Sequence, residues 1–90
     1  MAIGMVFNIT GGTEAQYQQV HDQVVPDNQP PAGMLYHAAG PSEDGFCVIE
    51  VWESQEAAER FFNETLGTAL QEANFSAQPI SFQVMNTMGP

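Results

Sequence analysis

Residues 33–54 read Gly33-Met34-Leu35-Tyr36-His37-Ala38-Ala39-Gly40-Pro41-Ser42-Glu43-Asp44-Gly45-Phe46-Cys47-Val48-Ile49-Glu50-Val51-Trp52-Glu53-Ser54. Two apolar runs, Gly33–Ala39 and Phe46–Glu53, flank the turn formers Gly40–Gly45, a pattern that predicts a β-hairpin. Ser54 is a natural N-cap, so a helix is expected to start directly after the second strand.

Outward from this hairpin the pattern is symmetrical. Downstream, Ala58, Phe61, Phe62, Thr65, Leu66, Ala69, Leu70 and Ala73 keep helical spacing, with Gly67 as a break point that splits the helix in two. Gln78-Pro79 closes the next loop, and Ile80–Thr87 alternates as a last strand. Upstream, Ala2–Ile9 is a first strand with Ile3, Met5, Phe7 and Ile9 on one parity and Gly4, Val6 and Asn8 on the other. Thr13-Glu14-Ala15-Gln16 is a capping box that opens a helix whose stripe is Tyr17, Val20 and Val24, with His21 on its edge. Pro26 and the segment Asp27–Pro31 end that helix in a loop.

The order is therefore β-α-β-β-α-β. It predicts an α+β, ferredoxin-like single domain over residues 1–90: a four-stranded antiparallel sheet with helices on one face. The strands carry apolar residues on both parities, and 90 residues leave nothing to cover the second face. A homodimer packed sheet to sheet is the expected solution.

Composition limits the partners. Hydrophobic residues make up 43% and charged residues 13%, enough for a core, while one Lys or Arg against 11 Asp and Glu gives a net charge of −10. Arg60 alone cannot form the phosphate footprint of a nucleic-acid binder or a polybasic membrane patch, so neither partner is expected. Highly anionic substrates are poor partners for the same reason, whereas a neutral, largely apolar molecule meets no such obstacle. No basic n-region precedes an apolar stretch in Met1–Thr10, and no run approaches the ~18 apolar residues of a membrane span, so a cytoplasmic protein is expected. Cys47, the single cysteine, sits in an alternating apolar run and reads as a packing residue. The triplets at Asn8, Asn63 and Asn74 match the glycosylation pattern and, with no signal peptide read in Met1–Thr10, are expected to be chance matches.

Strand parity gathers one polar cluster. If Ala39 opposes Phe46, then His37 opposes Val48 and Leu35 opposes Glu50, and His37, Phe46, Glu50 and Trp52 share a face. His37 and Glu50 would then be diagonal neighbours about 7–8 Å apart at the backbone, within reach of each other's side chains, and the carboxylate would fix the imidazole's tautomer. The pair reads as a general acid/base site, or else as a structural pair beside the dimer interface. Tyr17, His21 and Asn8 are expected to face the same cavity, with Trp52 and Phe62 as an aromatic wall for a flat substrate. His21, His37 and Glu50 come from separate elements without motif spacing, so no metal is expected. A haem would have only His37 or His21 as axial ligand, and no cofactor is predicted. No nucleophile elbow or phosphate-binding glycine loop is present.

Residues Gly33–Pro41, Gly45-Phe46 and Val51-Trp52-Glu53-Ser54, with Ala57 and Phe61-Phe62 following, resemble the dimeric α/β-barrel superfamily and, more narrowly, its antibiotic-biosynthesis-monooxygenase-like members. The topology matches over nearly the whole chain and the motifs over about residues 33–66. In the cofactor-free oxygenases of that group a tryptophan late in the third strand lines the substrate pocket, and Trp52 matches it. Val48 stands where those enzymes carry an asparagine, and Ala58 where they carry a tyrosine. The resemblance implies a homodimer with one apolar cavity per subunit for an aromatic or polyketide-like molecule. Cofactor-independent oxygenation, or proton-transfer isomerisation or cyclisation, is the chemistry expected there. The alternative is a non-catalytic binding or interaction domain in which His37 and Glu50 are structural.

Overall fold

The computed structural model describes residues 2–73 and 79–88. The elements are β1 (Ile3–Thr10), α1 (Glu14–Val24), β2 (Met34–Ser42), β3 (Gly45–Trp52), α2 (Gln55–Phe61), α3 (Gly67–Glu72) and β4 (Pro79–Gln83). They form one antiparallel sheet in the order β2-β3-β1-β4, the ferredoxin-like arrangement expected from the sequence. The triplet starting at Asn74 and residue Gln78 lie outside the described residues.

Local chemistry sets each boundary. The Thr13 hydroxyl accepts from the Gln16 backbone N–H at 3.1 Å and the Gln16 side chain accepts from the Thr13 N–H at 3.1 Å, so the predicted capping box starts α1. Ser54 accepts from the Ala57 N–H at 3.1 Å and starts α2. A short turn at Pro26–Asn28 follows α1, with Asp27 and Asn28 in the left-handed region at φ 63° and 56°. Asp and Asn are the side-chain-bearing residues that most readily take this conformation.

The hairpin is tighter than predicted. β2 continues through Gly40, Pro41 and Ser42, Ser42 pairs with Gly45, and the turn is only Glu43-Asp44. Pro41 is tolerated because β2 is an edge strand, where one side of the backbone has no ladder to lose. β4 ends at Gln83 rather than Thr87, although the Val84 N–H still reaches the Ala2 carbonyl at 2.9 Å. The hairpin tip is tied to the turn after β1 by the Gly11 N–H bond to the Asp44 carbonyl, 2.8 Å. Gly45 is wedged there: a Cβ would collide with the Ile9 carbonyl and stand 2.7 Å from the Gly11 nitrogen.

The helix after β3 consists of two α segments, with Gly67 the first residue of the second, and the chain stays helical between them. A single π turn, Phe62–Leu66, joins α2 to α3 and inserts an extra residue into the helical repeat. The core lies between the helices and one sheet face, where Phe7, Ile9, Phe46 and Val48 pack with Val20 of α1 and Ala69 of α3. Trp52, Ala57 and Ala58 form a second buried cluster with Met5, Met34 and Phe61 against it. The opposite sheet face carries Tyr36, Ile49, Ile80 and Phe82, all substantially exposed.

Candidate functional site

Strand pairing places the central pair. Pro41 opposes Phe46, Ala39 opposes Val48 and His37 opposes Glu50. The expected register is thus corrected by two residues, which leaves His37 to Pro41 on their predicted faces and turns His37 and Glu50 from diagonal into direct neighbours. The reason is the two-residue turn, shorter than the Gly40–Gly45 loop read from composition.

Past this pair the ladder is irregular. Tyr36 opposes Val51 and Met34 opposes Trp52, so Leu35 is the extra residue of a β-bulge. The bulge reverses the parity of β2, and Met34 joins His37 on the helix-covered face and packs against the Trp52 cluster. Leu35, expected opposite Glu50, is instead 61% exposed at the cavity mouth.

Four side chains form one hydrogen-bonded chain. The Trp52 indole N–H donates to Glu50 Oε1 at 3.0 Å. Glu50 Oε2 lies 3.3 Å from His37 Nδ1, and His37 Nε2 lies 2.7 Å from the Tyr17 hydroxyl. Glu50 is 7% exposed and is the one buried charged residue among the described residues. An indole N–H can only donate, so Oε1 is an acceptor. A carboxylate at Oε2 accepts a hydrogen bond from Nδ1–H of a neutral imidazole, which leaves Nε2 as acceptor and makes Tyr17 the donor. The chain therefore runs from both ends inward: Tyr17 to His37 to Glu50, and Trp52 to Glu50.

Tyr17 projects from α1 and its ring is held on three sides. Phe46 stacks at 5.0 Å between centroids, His37 at 6.1 Å, and His21 tilts against it at 5.7 Å. Burial, and secondarily the negative charge of Glu50, push the Tyr17 ionisation above its ordinary value of 10.0, so the phenol stays protonated.

Tyr17, His37 and Glu50 stand on the wall of a cavity of about 400 Å³ between α1, the sheet and the α2–α3 helix. Its remaining lining is mostly apolar: Phe7, Val20 and Val48 beneath, Phe61, Leu66 and Leu70 from the second helix. The loop from Val25 to Pro31 frames the mouth with Leu35 and Tyr36. His21 also lines it, with Nε2 2.9 Å from Asn28 Oδ1, while Nδ1 is buried without a hydrogen-bond partner, 3.6 Å from Asp22 Oδ1.

Tyr17, His21, His37 and Glu50 are thus brought together as expected, and three other placements are corrected. Trp52 is 1% exposed and sits behind Glu50, because the strand end turns its indole under Ala57 and Ala58 rather than into the cavity. Phe62 is carried by the π turn to a separate groove of about 440 Å³ between α2 and β4. Asn8 pairs with Cys47 and is exposed, on the parity opposite to Phe7 and Ile9, so it faces away from the helices. Sequence reading missed Asn28 and the Leu35 bulge. An Asp-Asn pair just after a helix and a proline is a signal for a tight left-handed turn, which folds the Asn28 amide back onto His21. A single-residue bulge has no comparable signature here.

No family model and no curated protein matches the chain at the level of sequence. Its fold does match solved structures over nearly their whole length. Rv0793 from Mycobacterium tuberculosis superposes with a TM-score of 0.75 at 8% identity, covering 99% of this chain and 100% of that one. A protein of Chloroflexus aurantiacus J-10-fl, provisionally classed as an antibiotic biosynthesis monooxygenase, gives 0.70 at 15% identity over 99% and 98%. SnoaB of Streptomyces nogalater, a cofactor-independent oxygenase, gives 0.61 at 19% identity over 99% and 96%. The fold is that of the antibiotic-biosynthesis-monooxygenase-like structures, as the resemblance of residues 33–66 implied.

Proposed function

We propose that this chain is a small cytoplasmic enzyme that binds a neutral apolar molecule, aromatic or polyketide-like, and moves a proton on it without a cofactor, as the first step of isomerisation, cyclisation or oxygenation. The observation that carries this reading is the buried carboxylate of Glu50 holding the half-open imidazole of His37 at the wall of a mostly apolar cavity of about 400 Å³. Such a cavity holds a ligand of a few fused rings. His37 Nε2 is the base, with Nδ1 fixed by Glu50. Among the described residues no lysine or arginine lines the cavity, in keeping with a neutral ligand rather than a phosphorylated one.

The oxygenation branch draws on one comparison. SnoaB is a cofactor-independent oxygenase, and a deprotonated phenol or enol is the electron-rich partner that dioxygen needs. The functional unit is a homodimer closed by the exposed sheet face bearing Ile49, Ile80 and Phe82.

A chromogenic phenol tests the base. Neutral 7-hydroxycoumarin, added at a pH where the free dye is protonated, is expected to bind and to show the phenolate absorption band. His37→Gln is expected to bind the dye and leave it protonated. Binding without ionisation by the unaltered protein would make the chain a binding domain with a structural His–Glu pair. An oxygen electrode with the bound phenol and no added cofactor separates oxygenation from proton transfer alone.

A further inference from the structure

We infer that Tyr17, not His37, is the group that touches the ligand, and that it relays the proton: it takes one from a ligand hydroxyl while passing its own to His37. This rests on the acid/base reading above and narrows it to a ligand class, phenols and enols that present an O–H to the site.

The Nε2 lone pair of His37 is already occupied. The Tyr17 hydroxyl lies 2.7 Å from it, so a ligand cannot reach the base unless Tyr17 leaves. Tyr17 is poorly placed to leave, since Phe46 and His21 grip its ring from two further sides at 5.0 and 5.7 Å. With its O–H directed at Nε2, the Tyr17 oxygen has only lone pairs to offer the cavity it lines. The site at rest is an acceptor, and it selects a donor.

The transfer balances without any change of oxidation state. The ligand O–H bond breaks as a new Tyr17 Oη–H bond forms, and the original Tyr17 O–H bond breaks as His37 Nε2–H forms. The ligand remains as an oxyanion hydrogen-bonded to Tyr17, and the imidazolium remains against the Glu50 carboxylate. Burial keeps the resting tyrosine protonated, so its own proton passes to His37 only as the ligand's proton arrives. Glu50 acts through His37 and Trp52 acts through Glu50, so both are positioning residues.

The test compares 7-hydroxycoumarin with 7-methoxycoumarin, which fits the same space and has no proton to give. With Tyr17→Phe, equilibrium dialysis is expected to show the phenol still bound while its phenolate band falls to the free-dye level, as with His37→Gln. Retention of the band in Tyr17→Phe and its loss in His37→Gln would overturn the relay and leave His37 as the direct base. A wild-type protein that leaves the dye protonated would overturn the acid/base reading, and the relay with it. If Tyr17→Phe does not fold, 3-fluorotyrosine incorporated into Tyr36→Phe protein places one ¹⁹F nucleus beside the Tyr17 hydroxyl. Its resonance is expected to shift with the phenol and to stay with the methyl ether; equal shifts for both ligands would overturn the relay.

Discussion

Glu50 has an oxygen for each of its two neighbours, and both neighbours donate: Trp52 at 3.0 Å and His37 at 3.3 Å. A glutamine there keeps the size and loses one acceptor. Its amide NH₂ must face either the Trp52 N–H or His37 Nδ1, and in the second case the imidazole changes tautomer and Nε2 becomes a donor. Glu50→Gln is therefore expected to abolish ionisation of 7-hydroxycoumarin and to cost about 1–3 kcal/mol in urea denaturation, the penalty of a buried polar group facing the wrong partner. Tyr17 supplies a second residue-scale expectation. Its ionisation is raised by burial and by Glu50, so above the ordinary value of 10.0 the unfolded chain gives up this proton before the folded one does. The folded state then binds more protons than the unfolded, and stability falls as pH rises through that value. Urea midpoints measured across it are expected to drop more steeply for the wild type than for Tyr17→Phe.

At the scale of elements, the hairpin tip and the turn after β1 are locked by backbone contact at Gly45. Gly45→Ala forces a methyl group against the Ile9 carbonyl and the Gly11 nitrogen, neither of which can rotate away. A loss of about 1–3 kcal/mol by thermal or urea unfolding is expected. The same hairpin shows what was legible in the sequence. Alternation fixed which residues of β3 share a face, and because the period is two, a register error of two residues changed no face between His37 and Pro41. The error arose because Gly40-Pro41-Ser42 has turn composition, and only the sheet order reveals that β2 is an edge strand able to carry a proline. Asn8 illustrates a different limit. Its parity was clear, but with apolar residues on both faces of β1 the sequence did not say which face meets the helices. Trp52 shared a face with Glu50 as read, yet whether an indole fills a cavity or the floor beneath it depends on packing against Ala57 and Ala58. The Tyr17–His37 contact joins positions 20 residues apart and had no local signal.

For the whole molecule, charge and uncovered surface act in opposite directions. Ile80 is 68% exposed on a sheet face that also presents Tyr36, Ile49 and Phe82, more apolar surface than a monomer normally leaves open. Light scattering at micromolar concentration is expected to give a dimer, whose obligate interface would bury on the order of 2,000 Å². Ile49→Asp, at the middle of that face, is expected to give a folded monomer. Against association stands a net charge of −10 per chain. Among the described residues Arg60 pairs with Glu56, an exposed contact at 2.9 Å that offsets little of it. Self-repulsion is screened over ~10 Å at 0.1 M salt and ~3 Å at 1 M, so the melting temperature is expected to rise with sodium chloride across this range. A flat or falling melting temperature would mean that the surface carboxylates are compensated in another way. Trp52 gives this molecule a further property. It is the only tryptophan in the chain, and its indole N–H rests on the carboxylate that steadies His37. Indole emission responds to the charge next to its ring, so the unlabelled protein carries a single built-in lamp at the inner end of its proton chain. Any change of protonation that reaches Glu50 can be followed in real time as a change of colour or brightness.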